Sequence, residues 1–205
     1  MEASWALTPS FDRAAPSDLS DLNSAYERWE NFFLSLHSRL GRPMADSKDE
    51  IAALAQHYGT PTRLLDFSLS PYIAAFFAYF DALRFHRPET HDIAIWALHV
   101  PTFRSESNGQ FEIISARNVY NQRIRNQLGK FLMNKSKFTS LNEYIEKENP
   151  QLGSAVSLFL IPVSQAVTAL NDLLLMGISP VELYPDHEGV AMYVRLRQLL
   201  EGYRF

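Results

Sequence analysis

The sequence is most informative at Leu54-Ala-Gln-His-Tyr-Gly-Thr-Pro-Thr-Arg-Leu-Leu-Asp-Phe-Ser-Leu-Ser-Pro-Tyr-Ile-Ala-Ala-Phe-Phe-Ala78. This stretch holds a helix end, a turn, a strand and the start of a second helix. Gly59 permits a left-handed exit from the first helix, and Pro61 fixes the turn after it. Thr62–Phe67 reads as a short buried strand. Ser70 is a natural N-cap, and Pro71 stands at the first helical position, where its missing N–H costs nothing. Ile73, Phe76, Phe77, Phe80 and Leu83 make this helix apolar over most of its circumference, so it belongs deep in a core.

Upstream, Leu22, Tyr26, Trp29, Phe33 and Leu36 recur at three- and four-residue spacing and predict a helix over Leu19–Leu40, ended by Gly41-Arg-Pro43. Ser47 with Glu50 three residues on is a capping-box pattern and predicts a helix carrying Ile51, Leu54 and Ala55 inward. Downstream, strands are expected at Ile93–Val100 and, after a turn at Gly109, at Phe111–Ser115. A helix is expected at Val119–Leu128, a charged helix or loop at Asn142–Asn149, and a buried strand at Val156–Ile161. Ser164 is read as capping a helix to Met176, with Gly177 just past its end. Val181–Tyr184 reads as a short strand and Glu188–Leu200 as a last helix. Short strands mixed irregularly with helices predict an α+β fold with a central mixed or antiparallel sheet. One domain is expected, helical over about 17–60 and sheet-containing over about 61–205.

The 205 residues are 46% hydrophobic and 13% aromatic, enough for a sizeable core without covalent staples. There is no cysteine, which excludes disulfides, thiolate metal sites and cysteine nucleophiles. No apolar run is long enough to span a membrane, and Met1-Glu-Ala-Ser-Trp5 lacks the features of a signal peptide, so a soluble cytoplasmic protein is expected. The net charge of -4 excludes a uniformly basic nucleic-acid binder. Arg117, Arg123, Arg125, Lys130, Lys135 and Lys137, however, fall in a run without acids. The first four are candidate RNA or DNA contacts, and a solvated helix face is the competing reading. The histidines show no ligand spacing, so no metal site is expected.

Gln56 to Asp66 admits two readings. In one, Arg63 and Asp66 pair with each other or with backbone across the turn and are architectural. In the other, Gln56, His57, Arg63 and Asp66 line a polar pocket that binds a nucleotide. Gln127-x-Gly129-x-Phe131 raises a similar choice: Gly129 inside a helix-like run costs about 1 kcal/mol relative to alanine, so it marks a close backbone approach or a helix end. Gln127 is a candidate for reading a base or amide, and Phe131 for stacking on a ring or for packing in the core. Asp186 and Glu188 are either an acid pair or the caps of the last helix.

Four stretches resemble the FRG-domain family. They are Trp5–Arg13, Gln56-His-Tyr-Gly-Thr-Pro-Thr-Arg-Leu-Leu-Asp66, Asn121-Gln-Arg-Ile-Arg-Asn-Gln-Leu-Gly-Lys-Phe131 and Gly177–Gly189. The second is the most specific. The aromatic-Arg-Gly triplet that names the family does not precede Trp5 here. Either the chain is truncated or the arginine is lost; if that arginine holds a ligand phosphate in the family, impairment is expected.

Leu65–Ala78 also resembles the ADP-ribosyltransferases, which place a serine-rich strand end directly before a helix below the NAD site. Gln110-Phe-Glu112 resembles their Gln/Glu-x-Glu strand start. The resemblance implies an ADP-ribosyltransferase-like fold, with Glu112 and Ser68 as catalytic residues and Ser70 at a helix N-terminus facing pyrophosphate. A carboxylate near the ribose stabilises the positive charge that develops as nicotinamide leaves, and a helix N-terminus or cation holds the phosphates. The implied function is NAD-dependent modification of nucleic acid or protein by a toxin or antiphage effector. The alternatives are a non-catalytic nucleotide- or nucleic-acid-binding module, or an interaction domain of a defence or toxin–antitoxin complex; a neutralising protein is a candidate partner.

Overall fold

The computed structural model describes residues 6–16, 20–40, 47–115 and 122–203. The chain divides into two compact units, each assembled from three separate stretches. The first unit takes Met1–Phe67, Leu98–Arg117 and Lys130–Val156. The second takes Ser68–Ala97, Asn118–Gly129 and Ser157–Phe205.

The first unit opens with helices α1 (Ser10–Ala14), α2 (Leu22–Ser38) and α3 (Lys48–His57). Asp21 accepts from Ser24 N–H and starts α2, and Ser47 accepts from Glu50 N–H and starts α3. Strand β1 (Leu64–Ser68) begins here, and α5 (Val100–Glu106), β3 (Phe111–Ile114), β4 (Gly129–Asn134) and α7 (Leu141–Lys147) complete the unit. The sheet order is β1-β4-β3. Strand β3 runs antiparallel to β4, with Glu112 opposite Met133. Backbone bonds from Asn134 N–H to Arg63 O and from Leu69 N–H to Leu128 O give β1 and β4 the same antiparallel sense. Phe103, Phe111, Leu132, Leu141, Tyr144 and Leu152 form the core beneath. Each such side chain contributes roughly 1.5–3 kcal/mol when fully buried.

The second unit is built on α4 (Pro71–Arg84), β2 (Asp92–Leu98), α6 (Gln122–Asn126), β5 (Val156–Pro162), α8 (Ala166–Leu175), α9 (Pro180–Leu183) and α10 (His187–Leu200). Ser70 Oγ accepts from Ile73 N–H at 3.3 Å and Pro71 fills the first turn, as expected. Helix α4 packs against α8 and α10, and Phe76, Phe80, Leu170, Leu173 and Leu196 meet in the core. Strands β2 and β5 pair antiparallel, bracketed by bonds from His99 N–H to Ala155 O and from Val163 N–H to His91 O.

The α+β class holds, with several corrections. Among the described residues there are two small sheets rather than one central sheet. Strand β4, the middle of the larger sheet, lies where the sequence suggested a helix end; α6 stops at Asn126 and Leu128 adopts φ 50°. Strand β5 alternates between exposed and half-buried positions instead of being buried. Val181–Tyr184 is not a strand: Ser179 caps a helical turn with Pro180 at its start. The helix expected from Ser164 begins as a 3₁₀ turn over Val163–Gln165. Trp29 and Leu36, read as part of one apolar stripe, are exposed; the first two turns of α2, through Ala25 and Tyr26, pack against Phe11. The proposed stop at Gly41-Arg-Pro43 lies outside the described residues. Among the described residues no helix is long and apolar enough to cross a membrane.

Candidate functional site

Arg63 is the centre of the first unit's polar architecture. Its Nε donates to Asp12 Oδ1 at 2.9 Å and Oδ2 at 3.3 Å. Its Nη1 donates to Asn23 Oδ1 and, at 3.0 Å, to Ser136 O; its Nη2 donates to Phe138 O at 3.0 Å. Asn134 Nδ2 donates to Asp12 Oδ2 at 3.2 Å and to Phe138 O at 2.9 Å. The side chains of Arg63 and Asp12 are 1% and 0% exposed. Burial pushes the Asp12 carboxyl up to about 6, opposed by the charge and hydrogen bonds of Arg63 and the amide of Asn134. Burial likewise lowers Arg63, with Asp12 acting in the opposite sense. The arginine therefore joins α1, α2, β1 and the Ser136–Phe138 turn. Its partner is Asp12, 51 residues away, and not Asp66.

Gln56, at the end of α3, clamps the turn into β1. Its Nε2 donates to Asp66 Oδ2 at 2.6 Å and its Oε1 accepts from Thr62 Oγ1. Thr62 Oγ1 in turn accepts from Leu64 N–H at 3.3 Å. His57 is exposed, with its ring 5.0 Å from that of Tyr58. These contacts give the Gln56–Asp66 stretch an architectural role.

In the second unit, Ser68 Oγ donates to Gln127 O at 2.8 Å and accepts from Ser70 N–H at 3.1 Å. The hydroxyl thus fastens the turn that leads into α4. Gln127 Nε2 donates to Leu183 O at 3.3 Å, and Asn126 Nδ2 to Glu182 O at 2.6 Å. Arg123 reaches Asp186 Oδ2 at 2.6 Å through Nη2 and Glu188 Oε2 at 2.9 Å through Nη1. Its guanidinium also lies 4.9 Å above the Tyr184 ring. Asp186 caps α10, accepting from Glu188 N–H at 2.9 Å and Gly189 N–H at 3.3 Å. A Cβ on Gly189 would stand 1.9 Å from Tyr184 O, so only glycine fits. The third and fourth motif stretches are thereby tied together within this unit. Of the four candidate nucleic-acid contacts, Arg117 lies outside the described residues, Arg123 is held by acids, and Arg125 is exposed. Lys130, in the first unit, donates to Ser115 Oγ at 2.7 Å. Phe131 is buried in β4, which makes it a core residue.

The first unit carries an open cavity of about 480 Å³ lined by Asn23, Asn108, Gln110, Lys135, Lys137, Phe138, Tyr144 and Glu148. Asn108 and Gly109 adopt φ 52° and 70° in succession, a tight turn that delivers Gln110 to the cavity and then starts β3. Positions 110 and 112 fall on the same side of an extended chain. Glu112 is exposed and forms an ion pair with Lys135. Lys137 Nζ lies 3.3 Å from Glu148 and 5.1 Å from the Phe138 ring centre. Phe138 and Tyr144 stand 5.9 Å apart at 53°. Cations, amides and rings around one opening suit an anionic ligand with a flat part. Lys135, Lys137, Phe138 and Tyr144 were not singled out as site residues from the sequence. The acid-free run around the lysines was the available signal.

Among the described residues no group of acids and histidines is placed to hold a metal. The FRG domain family model matches residues 1–87, which contain the first two of the four motif stretches. No curated protein and no solved structure matches the chain. The match over residues 1–87, with the Gln56–Asp66 turn and its Arg63 hub inside it, makes that part of the chain similar to the FRG domain.

Proposed function

We propose that the first unit binds a pyrophosphate-bearing nucleotide of the NAD class in the cavity of Lys135 and Lys137, and that Glu112 directs ADP-ribosyl transfer from it. One observation carries this. Gln110 lines the cavity, Glu112 follows two residues later on the same side, and Lys135 joins the Glu112 carboxylate to the cavity wall. The volume lies within the roughly 300–1,000 Å³ of small-molecule sites. Lys135 and Lys137 supply charge for phosphate oxygens, Asn108 and Gln110 supply amides, and Phe138 and Tyr144 supply ring surface. In the reaction, the bond from the ribose C1′ to the nicotinamide nitrogen breaks and nicotinamide leaves with the electron pair. The acceptor's nucleophile bonds to C1′ and gives up its proton to Glu112 or to water. A carboxylate beside the ribose stabilises the cationic state between. The acceptor, nucleic acid or protein, and an ADP-ribosyltransferase-like fold belong to the same proposal.

A second reading, a nucleotide-binding module without turnover, is favoured by the commitment of Ser68 Oγ to Gln127 O and Ser70 N–H. Calorimetric titration with NAD, together with nicotinamide release by wild type, Glu112→Gln and Lys135→Gln/Lys137→Gln, separates the two. Transfer requires release that Glu112→Gln abolishes while binding persists. The module requires binding without release. Absence of binding to the wild type eliminates both.

A further inference from the structure

The second unit carries another cavity, of about 250 Å³, lined by Arg84, Phe85, His86, Arg195 and Leu199. Leu199 is buried and the other four are exposed. Two guanidiniums and an imidazole border this space beside an aromatic ring. Arg84 lies 5.2 Å from the Phe85 ring centre. Among the described residues no carboxylate comes within 4 Å of either guanidinium. Asp81, one turn before Arg84, acts on it only at longer range.

The backbone supplies a second, independent observation. Helix α4 ends with His86 N–H bonded to Leu83 O and Arg87 N–H to Ala82 O, the paired bonds of a Schellman termination. Such an ending needs a left-handed residue, ordinarily glycine, and here His86 takes it at φ 49°. The turn therefore keeps an imidazole at the cavity where a glycine would cap the helix with less strain. A helix C-terminus favours one nearby cation through its dipole, which accounts for Arg84. It does not account for Arg195, which arrives from α10.

We propose that this cavity is a binding site for a phosphate monoester, with Arg84, Arg195 and His86 on the phosphate and the organic part against the Phe85 ring. Guanidiniums match phosphate oxygens in paired, charge-assisted hydrogen bonds, and an exposed ring gives a flat base a stacking surface. The cavity is about half the volume of the first unit's, which suits a mononucleotide rather than a dinucleotide.

Calorimetric titration of the full chain with AMP, ribose 5-phosphate and inorganic phosphate at constant ionic strength tests this. The Lys135→Gln/Lys137→Gln background is used, so the first unit's cavity does not contribute. AMP is expected to bind more tightly than ribose 5-phosphate or phosphate. Arg84→Gln/Arg195→Gln should weaken AMP by about tenfold to a hundredfold, the loss of one charged hydrogen bond or more. Phe85→Ala should bring AMP down to the level of ribose 5-phosphate. Circular dichroism confirms folding of each variant, and Arg195→Lys, which keeps charge without the fork, should give an intermediate loss. No AMP binding in this background, or AMP affinity unchanged by Arg84→Gln/Arg195→Gln, overturns the assignment. AMP and ribose 5-phosphate of equal affinity overturn the role of Phe85.

Discussion

Replacing Arg63 by methionine removes the guanidinium and leaves Asp12 buried without a counter-charge, since its side chain is 0% exposed. Breaking one side of a buried pair costs about 3–5 kcal/mol. Phe138 O keeps its bond from Asn134 Nδ2, but Ser136 O loses the Arg63 donor. An unsatisfied buried acceptor adds about 1–3 kcal/mol, for a total of about 4–8 kcal/mol. Domains have only about 5–15 kcal/mol to lose, so Arg63→Met should be barely folded. Arg63→Lys should lie between, because an ammonium lacks the fork that reaches Asp12, Ser136 and Phe138 together. The double change Asp12→Leu/Arg63→Met removes both charges and should be more stable than Arg63→Met alone, since apolar replacement of a whole buried pair is often neutral. Urea unfolding of the four proteins, followed by far-ultraviolet circular dichroism, measures all of this. Arg63→Met within about 1 kcal/mol of wild type, a surface-like value, would refute the hub. So would a double variant less stable than Arg63→Met alone.

Other consequences are checked more simply. Gly189→Ala forces a Cβ against Tyr184 O and should cost at least the roughly 1–3 kcal/mol of ordinary overpacking; an unchanged melting temperature contradicts the close approach. Asp186→Ala removes the α10 cap and both Arg123 contacts to its carboxylate and should cost about 1 kcal/mol, whereas Asp186→Asn should retain most of the capping part; thermal melts compare them. Because burial holds Asp12 above its ordinary 3.8, at about 6, the folded state keeps a proton that the unfolded state releases. This group's contribution is fully present below about pH 4 and is lost as pH rises toward 6. Carbon NMR of the Asp12 carboxyl should titrate near 6, and a titration below 3.8 would show that Arg63 outweighs burial.

The parts of the fold governed by local chemistry were legible in the sequence. Ser70 with Pro71, Ser47 with Glu50, and Asp186 before α10 each cap a helix at the position read. What escaped depends on distant partners. Gly129–Asn134 is short and compositionally mixed, and it becomes a strand because β1 and β3 flank it. Asp66 looked like the partner of Arg63 from proximity in the chain, while Asp12 wins by sitting in α1 against β1. In the candidate site, Gln110 and Glu112 were visible as a Gln-x-Glu strand start. Lys135, Lys137, Phe138 and Tyr144 were not, because the β4–α7 connection that brings them beside Gln110 has no local signature. Ser68 was singled out for its place before α4, and its hydroxyl is used to fasten that very turn.

The first unit's cavity is proposed to take a nucleotide on which Glu112 acts. Nicotinamide release from NAD by wild type and Glu112→Gln, at matched folded concentrations, tests it most directly. Release by the wild type is expected, and its loss in Glu112→Gln with NAD affinity retained. Equal release from both proteins, or no release from a wild type saturated with NAD, would contradict it.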